Sequence, residues 1–113
     1  GYLDAYLRRA PVGERAADAR WRTGSCAFAL AREAHAAGRL GEALERLDVV
    51  IRLGLPENLQ DQAWFERGEV LFALGRFEEA LAAYGQVLEL SPRRTGALVE
   101  RARRRIDEIR FGT

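Results

Sequence analysis

One sixteen-residue pattern occurs twice in this chain. Residues 38–53 (GRLGEALERLDVVIRL) and 75–90 (GRFEEALAAYGQVLEL) align without gaps at an offset of 37, and seven of the sixteen positions are identical. Gly38 pairs with Gly75, Ala43 with Ala80, Leu44 with Leu81, Leu47 with Tyr84, Val50 with Val87 and Leu53 with Leu90. In each copy apolar residues recur three and four apart, the spacing of one helical face. Self-similarity at a fixed period marks an array of stacked units, none of which buries its apolar face alone. The expected fold class is therefore all-α.

The residues before the second copy complete the unit. Trp64, Gly68 and Leu71 share one face of a helix that ends at the Gly75–Arg76 turn. Phe77, Ala80, Leu81, Tyr84, Val87 and Leu88 form the facing stripe, and Gly68 and Ala80 are small where the helices must approach. Ser91–Pro92 stops the second helix, because the residue before a proline is pushed out of the helical region. This arrangement resembles the tetratricopeptide repeat, a helix–turn–helix unit of about 34 residues. The residues that carry the resemblance are Trp64, Gly68, Leu71, Gly75, Phe77, Ala80, Tyr84 and Pro92. Arg67 departs from it, since the family prefers an aliphatic residue there. The resemblance implies a right-handed α-solenoid of helix pairs with a C-terminal capping helix. Residues 1–113 are then one domain: a leading helix at 2–10, a first repeat at 14–53 with an extended first helix, a second repeat at 57–92 and a capping helix at 95–110.

Several local expectations follow. Tyr2, Leu3, Tyr6 and Leu7 lie opposite Asp4, Arg8 and Arg9, like the tail of a second helix; the segment reads as an N-terminal cap or docking helix. Between Glu14 and Ala37 only Gly24 interrupts, giving one long helix or two segments bent at that glycine. Trp21-Arg-Thr-Gly24 looks like the opening of a first helix, set about two turns early. The spacing of 37 exceeds the family's, and the extra residues are placed in the Gly54–Leu55–Pro56 connection. Glu57 or Asn58 starts the next helix, with Pro56 near its first turn. Thr95 caps a last helix running to Arg110, apolar at Leu98, Val99, Ala102, Ile106 and Ile109, with a frayed end at 111–113.

Charge and composition narrow the function. Net charge is +1, too little for a general pull toward nucleic acid or anionic lipid. All eighteen basic residues are Arg. Seven of them fall in residues 93–113 against Glu100, Asp107 and Glu108, so a nucleic-acid contact through this Arg-rich helix is one alternative, with a solvated face of Arg–Glu pairs as the plainer reading. Cys26 is the one cysteine, which rules out an intrachain disulfide and a cysteine metal cluster; it reads as a buried structural thiol. His35 is the one histidine, with no second ligand a turn away, so no metal and no cofactor is expected. No nucleophile motif, phosphate loop or paired histidine stands out, and no enzyme activity is expected. There is no apolar run long enough to span a bilayer and no leader at the start.

In the family, ligand peptides lie against the first helices, on the concave side. Counting back from the Gly38 and Gly75 turns, the resemblance puts Phe28, Arg32 and His35 of the first repeat in that groove, with Gln62, Phe65, Glu69 and Phe72 of the second and Val99 and Arg103 of the last helix. Phe65 and Phe72 lie off the Trp64/Gly68/Leu71 stripe, as residues of a partner surface would. The implied function is a non-enzymatic scaffold for a protein or peptide partner, with Phe28, Phe65 and Phe72 buried on binding and Arg32, Glu69 and Arg103 setting polarity. The chain lacks the Lys of the chaperone-type clamp for a C-terminal carboxylate and has Phe65 and Glu69 in its place, which favours an apolar or mixed peptide, or a helix. A regulatory or docking module of a larger enzyme or sensor is the second alternative. The YLRRAP opening and RARRRIDEIR ending are also similar to bacterial envelope repeat proteins; between bacterial cytoplasm and periplasm the location stays open, as does self-association.

Overall fold

The computed structural model describes residues 12–91 and 96–112. The expected leading helix at 2–10 and the Thr95 cap lie outside them. Five α-helices make up the described chain: α1 Val12–Ala36, α2 Leu40–Leu53, α3 Gln60–Ala73, α4 Phe77–Leu90 and α5 Ala97–Phe111. There is no strand among the described residues.

The repeated pattern folds as two copies of one turn. Gly38 and Gly75 take φ of 81° and 77°, a left-handed conformation that glycine adopts without a Cβ penalty. Their amides bond His35 O and Phe72 O at 3.0 Å, and the next amides, Arg39 and Arg76, reach back to Ala34 O and Leu71 O. Arg39 then pairs with Glu42 and Arg76 with Glu79, each at 2.6 Å, placing a carboxylate in the first turn of α2 and of α4. Both following helices have 14 residues. Ala43 and Ala80 are fully buried in equivalent places.

Each second helix packs on its own first helix and on the next: α2 on α1 and α3, α4 on α3 and α5. The first helices touch in series, α1 with α3 and α3 with α5, while α2 and α4 do not meet. The first helices thus form the tight inner layer of a curved α-solenoid and the second helices the splayed outer one. Two core clusters result, one from the first pair with Ala63 and Val70 of α3 and one from the second pair with α5. In the second, the Tyr84 ring lies on Gly68, where a Cβ would sit 2.6 Å from the ring. The equivalent first-pair residues are Ala31 and the smaller Leu47, both in the first cluster.

α1 is one unbroken helix through Gly24, the first of the two forms expected for this stretch. A Cβ at Gly24 would lie 1.9 Å from Leu55 O, so this glycine admits the 54–56 connection against α1. Four local expectations are corrected. First, Trp21 is 49% exposed, whereas Ala27, at the position of Trp64, is buried; the Trp21–Gly24 stretch is therefore an extension beyond the repeat, not its opening. Second, residues Glu57–Leu59 form a 3₁₀ turn and the α-helix starts at Gln60, whose side-chain amide bonds Val50 O and Pro56 O and ties the connection to the end of α2. Third, Phe111 is helical and Gly112 closes α5 in the left-handed conformation, bonding Glu108 O, so this end is capped. Fourth, Cys26 is exposed, because it lies on the side of α1 turned away from α2 and α3.

Helix glycines are therefore not equivalent, and substitution separates them. Gly24→Ala is expected to cost about 1–3 kcal/mol, because the obstacle is backbone. Gly85→Ala, in α4 with nothing within 4 Å of the new methyl, is expected to add about 0.5–1 kcal/mol. Urea unfolding followed by circular dichroism measures both.

Candidate functional site: the first-helix face

The inner layer presents α1, α3 and α5 side by side. Phe28, Arg32, Gln62, Phe65, Glu66, Leu98 and Arg101 surround a small cleft of about 110 Å³ where these helices meet. Arg101 also borders the neighbouring cleft, about 200 Å³, formed with Glu69, Arg104, Arg105 and Glu108. The two clefts make one strip. Four predicted residues (Phe28, Arg32, Gln62 and Phe65) line the first cleft together, and Glu69 lines the second.

The phenylalanines are the floor of this strip, not its free surface. Phe28 is 7% exposed and Phe65 3%. Phe65 packs at a tilt on Tyr84, with ring centroids 5.7 Å apart. Arginines cover what remains: Arg101 stands over Phe65 at 4.6 Å, Arg105 over Phe72 at 4.7 Å and Arg32 over Phe28 at 6.0 Å. Burial of these rings by a partner therefore has little apolar area left to use. Phe72 is half-buried and meets Phe77 edge-on beside the Gly75 turn.

Val99 is 1% exposed and belongs to the core under α5; a β-branched residue one position from Leu98 falls on the buried side. Arg103 borders the groove between α4 and α5, on the other side of α5, and pairs with Glu100 at 3.7 Å. The basic residues that α5 does give to the strip are Arg101, Arg104 and Arg105, beside Leu98 and Glu108. Sequence reading missed them because the sixteen-residue pattern that anchors the count in α1 and α3 is not repeated beside α5. A step of four along α5 from Arg101 to Arg105 shows they share a face.

Charge in the strip is partly spent. His35 Nδ1–H donates to Glu66 at 2.9 Å, which gives His35 a structural partner. Arg105 bonds Glu69 and Glu108, at 3.2 and 2.8 Å, and fastens α5 to α3. Arg32, Arg101 and Arg104 have no acidic partner among the described residues. Near Arg105 lies the fully buried Tyr84, whose hydroxyl makes no hydrogen bond among the described residues. Burial, with the Glu69 carboxylate nearby, holds that hydroxyl well above the ordinary phenol range.

On the outer side Arg67 explains its departure from the repeat pattern: its guanidinium pairs with Asp48 of α2, linking the two helix pairs. No group of three or more His, Cys, Asp or Glu side chains among the described residues is arranged to hold a metal. No described helix is long and apolar enough to cross a membrane.

Comparison with known proteins agrees with the geometry. The family model described as tetratricopeptide repeat matches residues 61–94, which take in α4 and all of α3 but Gln60. No curated protein and no solved structure matches the chain.

Three substitutions test the strip's support. Tyr84→Phe removes a buried hydroxyl that makes no hydrogen bond among the described residues, and is expected to raise stability by about 1 kcal/mol. Arg105→Ala strands the largely buried Glu69 and is expected to lower stability by about 1–3 kcal/mol, whereas Arg104→Ala stays within about 0.5 kcal/mol of the parent chain. Thermal unfolding of the three variants decides.

Proposed function

The chain carries a tetratricopeptide repeat across residues 61–94, and from that premise we propose that it is a non-enzymatic interaction module binding an acidic segment of a partner protein along its first-helix face. The repeat is generally a protein–protein interaction fold, which gives the class of partner. The observation that carries the finer reading is the trio Arg32, Arg101 and Arg104, cations on one strip that form no ion pair among the described residues. Arg32 and Arg101 are held near Phe28 and Phe65, so their forks are already oriented. An incoming carboxylate meets a planar donor pair at little cost in side-chain ordering. Gln62 adds a neutral polar group between them, and Leu98 a small apolar contact. The partner's acids, rather than its apolar residues, provide the selectivity, because the phenylalanines are already covered.

Selection from a random peptide library on the immobilised chain tests this. Enriched sequences are expected to be rich in Asp and Glu, to lose affinity as salt rises, and to bind an Arg32→Glu/Arg101→Glu variant at least tenfold more weakly while its helicity is unchanged. Enrichment of uncharged peptides, or equal binding to the charge-reversed variant, overturns the proposal.

A further inference from the structure

We infer that the His35–Glu66 pair makes capture of an acidic segment depend on pH, the strip binding more tightly as the pH falls from about 8 to about 5.5. The inference rests on the first-helix face being the binding site, and concerns how that site is regulated.

Glu66 is the acid that lines the first cleft. Arg32 and Arg101 bring two positive charges to the same lining and Glu66 one negative charge, a net +1. An anionic partner drawn by the arginines is therefore opposed by this carboxylate. Glu66 pairs with neither arginine; its Oε2 lies 2.9 Å from His35 Nδ1, across the seam between α1 and α3. With His35 neutral, Nδ1–H donates to the carboxylate and Glu66 keeps its charge. The His35 side chain is 29% exposed, so Nε2 can take a proton from solvent. The pair then carries no net charge, and the cleft together with its histidine goes from +1 to +2. The imidazolium also holds the carboxylate more firmly, away from Arg32 and Arg101. Both effects favour an incoming anion.

The surroundings leave this role to the pair. On α1, Arg32 and Arg39 lie within about a turn of His35, and Arg39 is paired with Glu42. On α3, Glu69 lies one turn from Glu66 and is bonded to Arg105. The buried residues that α2 adds to the first core, Ala43, Leu47 and Val50, are all apolar. Histidine ordinarily changes charge between pH 5 and 8, whereas carboxylates, a partner's included, ordinarily stay ionised there. The sign follows from linkage. An anion in the cleft favours the imidazolium, so affinity rises as protons are added and falls as they are removed.

Isothermal titration calorimetry of the whole chain with an oligo-aspartate peptide, at about pH 8 and about pH 5.5 and one low ionic strength, tests the inference. The parent chain is expected to bind about three- to tenfold more tightly at the lower pH. His35→Asn keeps a donor in the place of Nδ1 but gains no charge, and is expected to show the parent's weaker affinity at both pH values. Glu66→Gln removes the opposing carboxylate, and is expected to reach at pH 8 the affinity that the parent has at pH 5.5. Equal pH dependence in the parent and His35→Asn, or a Glu66→Gln variant that binds no better than the parent at pH 8, overturns the inference alone, provided the peptide still needs Arg32 and Arg101. No binding at either pH, or undiminished binding to the Arg32→Glu/Arg101→Glu variant, overturns the binding site and the inference with it.

Discussion

The separation between first and second helices is set by an aromatic ring against bare backbone. The Tyr84 ring lies against Gly68, too near for any side chain at that position. That contact brings α4 close enough to α3 for Ala80, Ala83 and Val87 to be fully covered, and it orients Tyr84 beneath Phe65. The first pair reaches a similar packing with a different size balance, Leu47 with Ala31, so the brick is conserved in shape while its volumes are exchanged. The inner layer follows from this: first helices are drawn together, and their outward side chains are forced into a narrow strip.

That strip shows why composition alone misleads about a binding surface. Phenylalanines off a packing stripe suggest an apolar patch waiting for a partner. Here they are used by the chain itself, since three adjacent first helices leave no room for exposed rings. Arginine stems and guanidinium planes close over them. The result is a surface whose outermost atoms are cationic although its floor is aromatic. Every basic residue in the chain being Arg contributes, because a planar guanidinium stacks on a ring where an ammonium does not.

Much of the architecture was legible in the residues. The two Gly-Arg turns, the 14-residue second helices and the buried alanines all stand where the 37-residue offset puts them. The register of the first helices, counted back from those turns, gave Phe28, Arg32, Gln62, Phe65 and Glu69 to the inner strip. What failed had physical causes. Gly24 reads as a flaw in a helix because the carbonyl that needs the space is thirty-one residues away, at Leu55. Trp21 mimics a repeat opening that Ala27 actually provides. Val99 and Arg103 were misplaced because the repeated pattern that anchors the count in α1 and α3 has no copy beside α5. His35 and Glu66, on neighbouring helices, are linked only by the fold.

The connection at residues 54–56 has a consequence for how interchangeable these units are. Its carbonyl rests in the space that Gly24 leaves open, and Gln60 holds it from the other side. The longer spacing and the overlong first helix are therefore one device, a linker seated in a notch cut for it. A standard unit with a shorter linker, grafted in place of the first pair, would arrive without either half of that joint, and the module would lose the wedge that keeps its first and second bricks from hinging.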